Sequence, residues 1–233
     1  MSVTAGTLFQ DSHVPWTFWF RAMSQIASQK NGIRALARQR VLGLGSYKTA
    51  WAMPHTLRRA MVRSGRDRLD GVVAGDEAYW DGEEIGVIGR QTEDKALLIV
   101  AAEEAGKGIG RIRLRTIPDA SSASLHGFIR EAIAPASTLR SDGRSAYWGL
   151  DGYAHDRQVQ SRQEDGEHLL ARVPGVISLL KRWLLGTPQG AIGQEQLDDD
   201  RNEFTFRCHR RRSQSRGKLF YRLAQQALSR FRL

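Results

Sequence analysis

Cysteine is nearly missing from this chain: Cys208 is the only one in 233 residues. A single thiol excludes an internal disulfide framework and any zinc ribbon within the chain, and fits a reduced cytoplasm. The histidines other than His155 and His168 show no spacing suited to a metal site. Lysine is scarce too. Six of the 35 basic residues are lysine (Lys30, Lys48, Lys95, Lys107, Lys181, Lys218), and the rest are arginine, which grips phosphate through two parallel N–H groups and stacks on bases. No segment approaches the roughly 18 uninterrupted apolar residues of a membrane span. Met1 to Gln10 lacks the basic stretch and apolar run of a secretory signal, so a soluble, cytoplasmic protein that does not meet a membrane is expected. Acid is in deficit, 25 residues against 35, and the net charge of +10 creates a field that attracts a polyanion. With 41% hydrophobic residues the chain can bury the core of one sizeable domain and a smaller one.

Against this basic background two aspartates stand out, each closing a strand-like run. Asp76 follows Val72-Val73-Ala74-Gly75, and Asp142 follows Thr138-Leu139-Arg140-Ser141. Carboxylates at adjacent strand ends can hold two Mg²⁺ ions that activate a water or hydroxyl and stabilise the leaving oxygen of a phosphodiester. One such aspartate is a weak signal, because turns and caps also use Asp. Glu77 points to the opposite face if the strand continues, as an exposed acid or one behind the metal ligands. Glu164, Asp165, Glu167 and His168 are the candidates for a third ligand. Lys181 and Arg182, on the last long apolar helix, can meet DNA phosphate or charge building on the scissile group. His155 is either a hydrogen-bonded structural histidine or a catalytic one.

The hydrophobic periodicity predicts a buried helix over 15–27, then a helical stripe of Ile33, Leu36, Ala37, Val41 and Leu42 that stops at Gly43-Leu44-Gly45. Ser46 can cap a further helix carrying Ala50, Met53, Leu57 and Met61. The outline is that of a helix-turn-helix, or equally of an ordinary helical hairpin. In the first case Tyr47, Lys48 and Thr49 face the major groove, and Arg58, Arg59, Arg63, Arg66 and Arg68 meet phosphates. Pro54 inside the second helix should kink or split it. Strands are expected over 71–77, 85–90, 96–103 and 109–117, then a helix over 121–133, a strand over 138–142, a short helix over 144–150 and a strand over 157–160. A helix over 173–185 is opened by Pro174 in its first turn. From Glu203 to Leu233 aromatics alternate with Arg207, Arg210, Arg211, Arg212, Arg216 and Lys218. That pattern suits a groove tracking a nucleic-acid backbone, or a solvated basic helix packed by its aromatic face.

First strand, meander, helix, fourth strand is the order of a ribonuclease-H-like fold, in which the first and fourth strands are neighbours. The expected class is therefore α/β: a ribonuclease-H-like mixed sheet flanked by helices, preceded by a small helix-turn-helix-like domain. The expected division is 1–66 for the helical DNA-binding region and 67–233 for the catalytic domain with its basic C-terminal segment.

Several strings carry a resemblance to a known family. Gly6-Thr7-Leu8-Phe9, Trp19-Phe20, Leu42-Gly43-Leu44, Tyr47-Lys48-Thr49-Ala50-Trp51 and Leu57-Arg58-Arg59-Ala60-Met61 resemble the N-terminal half of bacterial insertion-sequence transposases of the ISXO-like group. Asp76-Glu77-Ala78-Tyr79, Ser141-Asp142-Gly143 with Tyr147, Gly152-Tyr153-Ala154-His155, the run Ser178 to Thr187, Glu203-Phe204-Thr205-Phe206-Arg207 and Leu219-Phe220-Tyr221-Arg222-Leu223 are similar to its catalytic half. The resemblance implies a DDE transposase core, two Mg²⁺ or Mn²⁺ ions on Asp76 and Asp142, and Lys181 as the lysine after the third catalytic position. It also implies double-stranded DNA as partner, at the inverted-repeat ends of a mobile element, and a homo-oligomer on that DNA. Relatives carry Asn, Glu or His in the third position, where this chain has Pro174; Pro188 stands where a His is usual, and the usual N-terminal zinc ribbon is not in the sequence. The expected protein is an insertion-sequence transposase that cleaves and transfers DNA strands by a two-metal mechanism, either active or as a truncated or inactive copy; the alternative is a catalytically silent DNA-binding derivative. Its DNA contacts are expected at Tyr47, Lys48, Thr49, Arg58, Arg59, Arg182, Arg210, Arg211 and Arg212.

Overall fold

A computed structural model describes residues 4–29, 35–62, 65–80, 96–106, 108–158, 169–186 and 194–229. By packing the chain divides into two compact units, one made of Met1–Arg66 with Arg182–Leu233 and the other of Asp67–Lys181.

The first unit is helical. Helix α1 (Trp16–Ser28) turns Trp19, Ala22, Met23, Ile26 and Ala27 inward at helical spacing. Helix α2 (Ala35–Leu42) ends on Gly43 at φ 69°, where the N–H of Leu44 donates to the Gln39 carbonyl and that of Gly43 to Arg40. This paired closure needs a left-handed residue, which glycine supplies without a steric penalty. Ser46 then caps α3 (Tyr47–Ala60), its hydroxyl accepting from the Thr49 N–H. Of the kink or split expected at Pro54, the split does not occur, and α3 runs through it. Proline has no N–H for the Ala50 carbonyl four residues back, and Arg38 Nη1 of α2 donates to that carbonyl at 3.4 Å instead.

Helices α6 (Gln194–His209) and α7 (Arg216–Leu228) complete this unit. Phe206 of α6, and Leu223 and Ala227 of α7, join Phe9, Trp19, Met23, Met53 and Leu57 in one core. The expected division left everything after residue 66 with the sheet. The C-terminal helices depart from it because their apolar faces are the missing wall of the N-terminal helices.

The second unit holds a five-stranded mixed sheet in the order β3-β2-β1-β4-β5. Its strands are β1 (Val72–Trp80), β2 (Ala96–Ala105), β3 (Gly108–Ile117), β4 (Thr138–Ser141) and β5 (Ala154–Arg157). The first three form an antiparallel meander, and β4 and β5 run parallel to β1. This is the ribonuclease-H-like arrangement, with first and fourth strands side by side. Helix α4 (Ser122–Ala132), capped by Ser121, covers one face with Leu125, Phe128 and Ile129 against Val73, Leu97, Ile99 and Leu139. Parallel neighbours need a crossover, and α4 is part of it between β3 and β4.

Three expectations shift in this unit. The last strand is Ala154–Arg157, three residues earlier than 157–160, because Gly152 at φ 85° turns the chain straight into pairing with Thr138–Ser141. The short helix over 144–150 shrinks to a single 3₁₀ turn, Ser145–Tyr147. Helix α5 spans Leu169–Gly186, so Pro174 lies inside it rather than in its first turn. Within the first six residues a proline removes only one intrahelical bond, from the Leu170 carbonyl, and the helix persists. The strand expected over 85–90 lies outside the described residues.

Candidate active site

Strand register brings the two aspartates together. Ala74 of β1 pairs with Arg140 of β4 in a parallel ladder, and Asp76 and Asp142 each follow two residues later. Side chains alternate across a strand, so Ala74 and Asp76 share one face with Arg140 and Asp142, while Val73, Leu139 and Ser141 share the α4 face. Asp76 thus lies in the middle of β1, which runs on to Trp80, and Asp142 just past the end of β4, both on the sheet face away from α4. Electrostatics agree: burial raises the Asp76 pKa, the Glu77 and Asp142 charges push the same way, and the Glu77 N–H, donating to Asp76 Oδ1 at 2.8 Å, only partly opposes them.

Arg144 organises the other acids. Its Nε lies 2.8 Å from Asp142 Oδ2, its backbone N–H donates to Asp142 Oδ1 at 3.2 Å, and its Nη1 donates to Glu77 Oε2 at 2.8 Å. Glu77 is on the α4 side as alternation requires, but it is not exposed: its side chain retains 3% of its surface. Tyr147, buried beside it, has its hydroxyl pushed well above the ordinary range, first by burial and then by the Glu77 carboxylate, so it stays protonated. Sequence reading passed over Arg144. Its position two residues past Asp142, in an Asp-Gly-Arg turn, is the one local hint.

The remaining expected residues fall in several places. His155 faces α4 and lies 2.8 Å, Nε2 to Oγ, from Ser141; burial and the Arg157 charge lower its pKa, as befits a neutral structural histidine. Pro174 and Lys181 are exposed on α5, whose buried stripe is Val173, Val176, Ile177 and Leu180. Glu164, Asp165, Glu167 and His168 lie outside the described residues. Among the described residues no group of three or more His, Cys, Asp or Glu is placed to hold a metal.

In the first unit Tyr47 and Lys48 are exposed at the start of α3 and Thr49 is half-buried; Arg59, Arg182, Arg211 and Arg212 are exposed. Arg210 lies over the Phe206 ring at 3.9 Å. Arg58 is a correction. It is 1% exposed, with Nη1 at 2.7 Å from Asp200 and Nε at 2.7 Å from Glu203, so no phosphate can reach it. Burial pushes the Asp200 carboxyl up to about 6, whereas at Glu203 the Arg58 and Arg207 charges outweigh burial and hold the pKa down.

The ISXO2-like transposase domain matches residues 68–209, more than half of the chain. The chain belongs to the ISXO2-like transposase family. This is a DDE family of phosphoryl-transfer enzymes that act on DNA with divalent metals. No curated protein matches the sequence. Among solved structures, a chain of the cryo-EM structure of the simian T-cell lymphotropic virus intasome in complex with PP2A regulatory subunit B56 gamma is similar at 12% identity and a TM-score of 0.34. The match covers 76% of this chain and 64% of that one, so this transposase-family chain spans less than two thirds of that relative. No helix among the described residues is long and apolar enough to cross a membrane.

Proposed function

We propose that this chain is an insertion-sequence transposase whose Asp76 and Asp142 form the metal-binding core of a DNA strand-cleavage and strand-transfer site. The observation that carries the reading is the parallel β1–β4 register, which sets both carboxylates on one sheet face in a DDE-family chain. The donor set fits a hard divalent cation: two carboxylates, one of them with its pKa raised by burial and by its neighbour's charge, which a cation relieves. Bound there, Mg²⁺ or Mn²⁺ supplies a polarised water or hydroxyl and charge stabilisation at the leaving oxygen. Arg144 holds the Asp142 carboxylate in place through its Nε and backbone N–H, and Lys181 meets the phosphate next to the cut. Exposed Tyr47 and Lys48 and half-buried Thr49 read the inverted-repeat ends, and Arg59, Arg182, Arg211 and Arg212 grip backbone phosphate, with Arg210 presented on the Phe206 ring. A homo-oligomer on DNA holds both ends of the element.

The test is cleavage and joining of inverted-repeat DNA by the purified chain with Mg²⁺ or Mn²⁺. Joining that disappears in Asp76→Asn and Asp142→Asn supports the reading, and no cleavage with either metal removes it.

A second reading, a catalytically silent DNA-binding derivative, is favoured by one observation. Pro174, in the third catalytic position by resemblance, carries no donor or acceptor. Under it, DNA binding is salt-sensitive but indifferent to metal, and Pro174→Glu creates metal-dependent cleavage where the parent chain has none. A Pro174→Glu chain as inert as its parent counts against a site lacking only its third ligand.

A further inference from the structure

Three arginines surround the acid pair, and two have their guanidinium groups occupied by carboxylates. Arg140 donates to Asp156 at 2.7 Å and to Glu104 at 3.3 Å; Arg144 is taken by Asp142 and Glu77. Among the described residues Arg157 is held differently. Its guanidinium carbon lies 4.5 Å from the centroid of the Trp148 ring, and both residues are exposed, Trp148 at 49%. A ring supports the flat face of a guanidinium and leaves the N–H groups around its edge free for an anion.

The place of this pair in the sheet gives it meaning. Arg157 ends β5 and pairs directly with Ser141, the residue before Asp142. Neighbouring strands lie about 4.8 Å apart and residues about 3.3 Å apart along a strand, so the Arg157 and Asp142 backbones are separated by about 6 Å. Alternation turns Arg157 to the α4 side and Asp142 to the other. The guanidinium therefore flanks the carboxyl edge of the sheet on the face opposite the acid pair.

We propose that Trp148 and Arg157 form a phosphodiester-binding site for a DNA strand, gripping it beside the phosphate presented to Asp76 and Asp142. The assignment rests on the reading of the protein as a DNA-processing enzyme. Arg157 supplies two parallel N–H donors to a backbone phosphate, and Trp148 holds the guanidinium rigid and offers its open edge to the adjoining sugar or base. These are positioning residues: they fix the strand and take no part in bond making.

The experiment is fluorescence anisotropy of a labelled DNA duplex and of its single strand with the full chain in metal-chelating buffer, across a salt series. Arg157→Gln should weaken binding roughly tenfold at low salt. It should also reduce the slope of log affinity against log salt by about 0.9, one phosphate contact. Arg157→Lys should restore the slope but not the full affinity, because lysine keeps the charge and loses the planar fork. Trp148→Ala should weaken binding with an unchanged slope, and Trp148→Phe should recover most of the loss. Arg157→Gln with wild-type affinity and slope overturns the proposal, as does a parent chain that binds neither DNA form. Metal-dependent cleavage is not measured in this buffer, so absence of catalysis alone leaves this result intact.

Discussion

Arg144 shows how much one side chain can decide. It spans two carboxylates on opposite faces of the same sheet edge, Asp142 on the outer side and buried Glu77 on the α4 side. Removing it strands Glu77 as an uncompensated charge inside the protein. Arg144→Ala should therefore cost about 3 kcal/mol, measured by urea unfolding, whereas Glu77→Gln with Arg144→Ala should recover a large part of it. Glu103 is the pH-sensitive counterpart. Burial works to raise its pKa, but Arg111, donating from Nε and Nη2, and the Asp70 N–H outweigh it and bring the carboxyl to about 2 from an unfolded value of 4.5. The unfolded chain then takes up a proton first as pH falls. Stability from this group is full above pH 4.5 and disappears as pH drops toward about 2. Acid titration of the urea midpoint should show that decline, and Glu103→Gln should flatten it. Gly110 makes the pairing feasible, since a Cβ there would come within 3.0 Å of Glu103 Oε2.

At the scale of elements, the joint between α2 and α3 combines features visible in the sequence with one that is not. Gly43 and Ser46 announce the turn and the cap by residue type alone. Pro54 announces a kink or a split, yet the helix is not split, and Arg38, twelve residues before Ala50, reaches the orphaned carbonyl. A buried carbonyl without a donor costs about 1–3 kcal/mol, so Arg38→Met should destabilise the protein by that amount. Pro54→Ala restores the backbone N–H and should shrink the effect of Arg38→Met. A thermal-unfolding double-mutant cycle reads the coupling, and strict additivity would refute the link. The strand elements were more legible. Asp76 and Asp142 could be expected on neighbouring strands because meander, helix, strand has few topological outcomes, whereas the register that aligns them comes from the fold.

At the scale of the molecule, the helical unit is discontinuous in sequence. Arg58 of α3 is neutralised by Asp200 and Glu203 of α6, and His55 Nδ1 lies 3.0 Å from Asp199. Phe206, Leu223 and Ala227 complete its apolar core. A fragment of residues 1–66 should therefore lack cooperative unfolding by circular dichroism, and adding 182–233 as a separate peptide should restore it. A cooperatively folded 1–66 fragment would show that the C-terminal helices are dispensable. The basic C-terminal segment, expected to serve the sheet domain, thus carries out part of its role as the wall and counter-charge of the first.

By itself the sequence determined much of the local pattern: the helices α1 to α4, the strands β1 to β4, where α2 turns into α3, and which two acids lie on β1 and just past β4. Those features follow from side-chain period, turn chemistry and the short list of ways to connect such strands. Only the tertiary structure decided which arginines are exposed. Arg58 and Arg59 are adjacent and chemically identical, yet one is locked behind two acids some 140 positions away and the other, 3.7 Å from Asp199, keeps its side chain largely exposed. Helical period offered a clue, since Arg58 lies four residues after buried Pro54 and eight after Ala50. The partner acids gave none, because an ion pair formed across the fold leaves no mark on the residues beside it. For the same reason Arg157 could be separated from Arg140 and Arg144 only once the fold had shown which cation meets a carboxylate and which meets a ring.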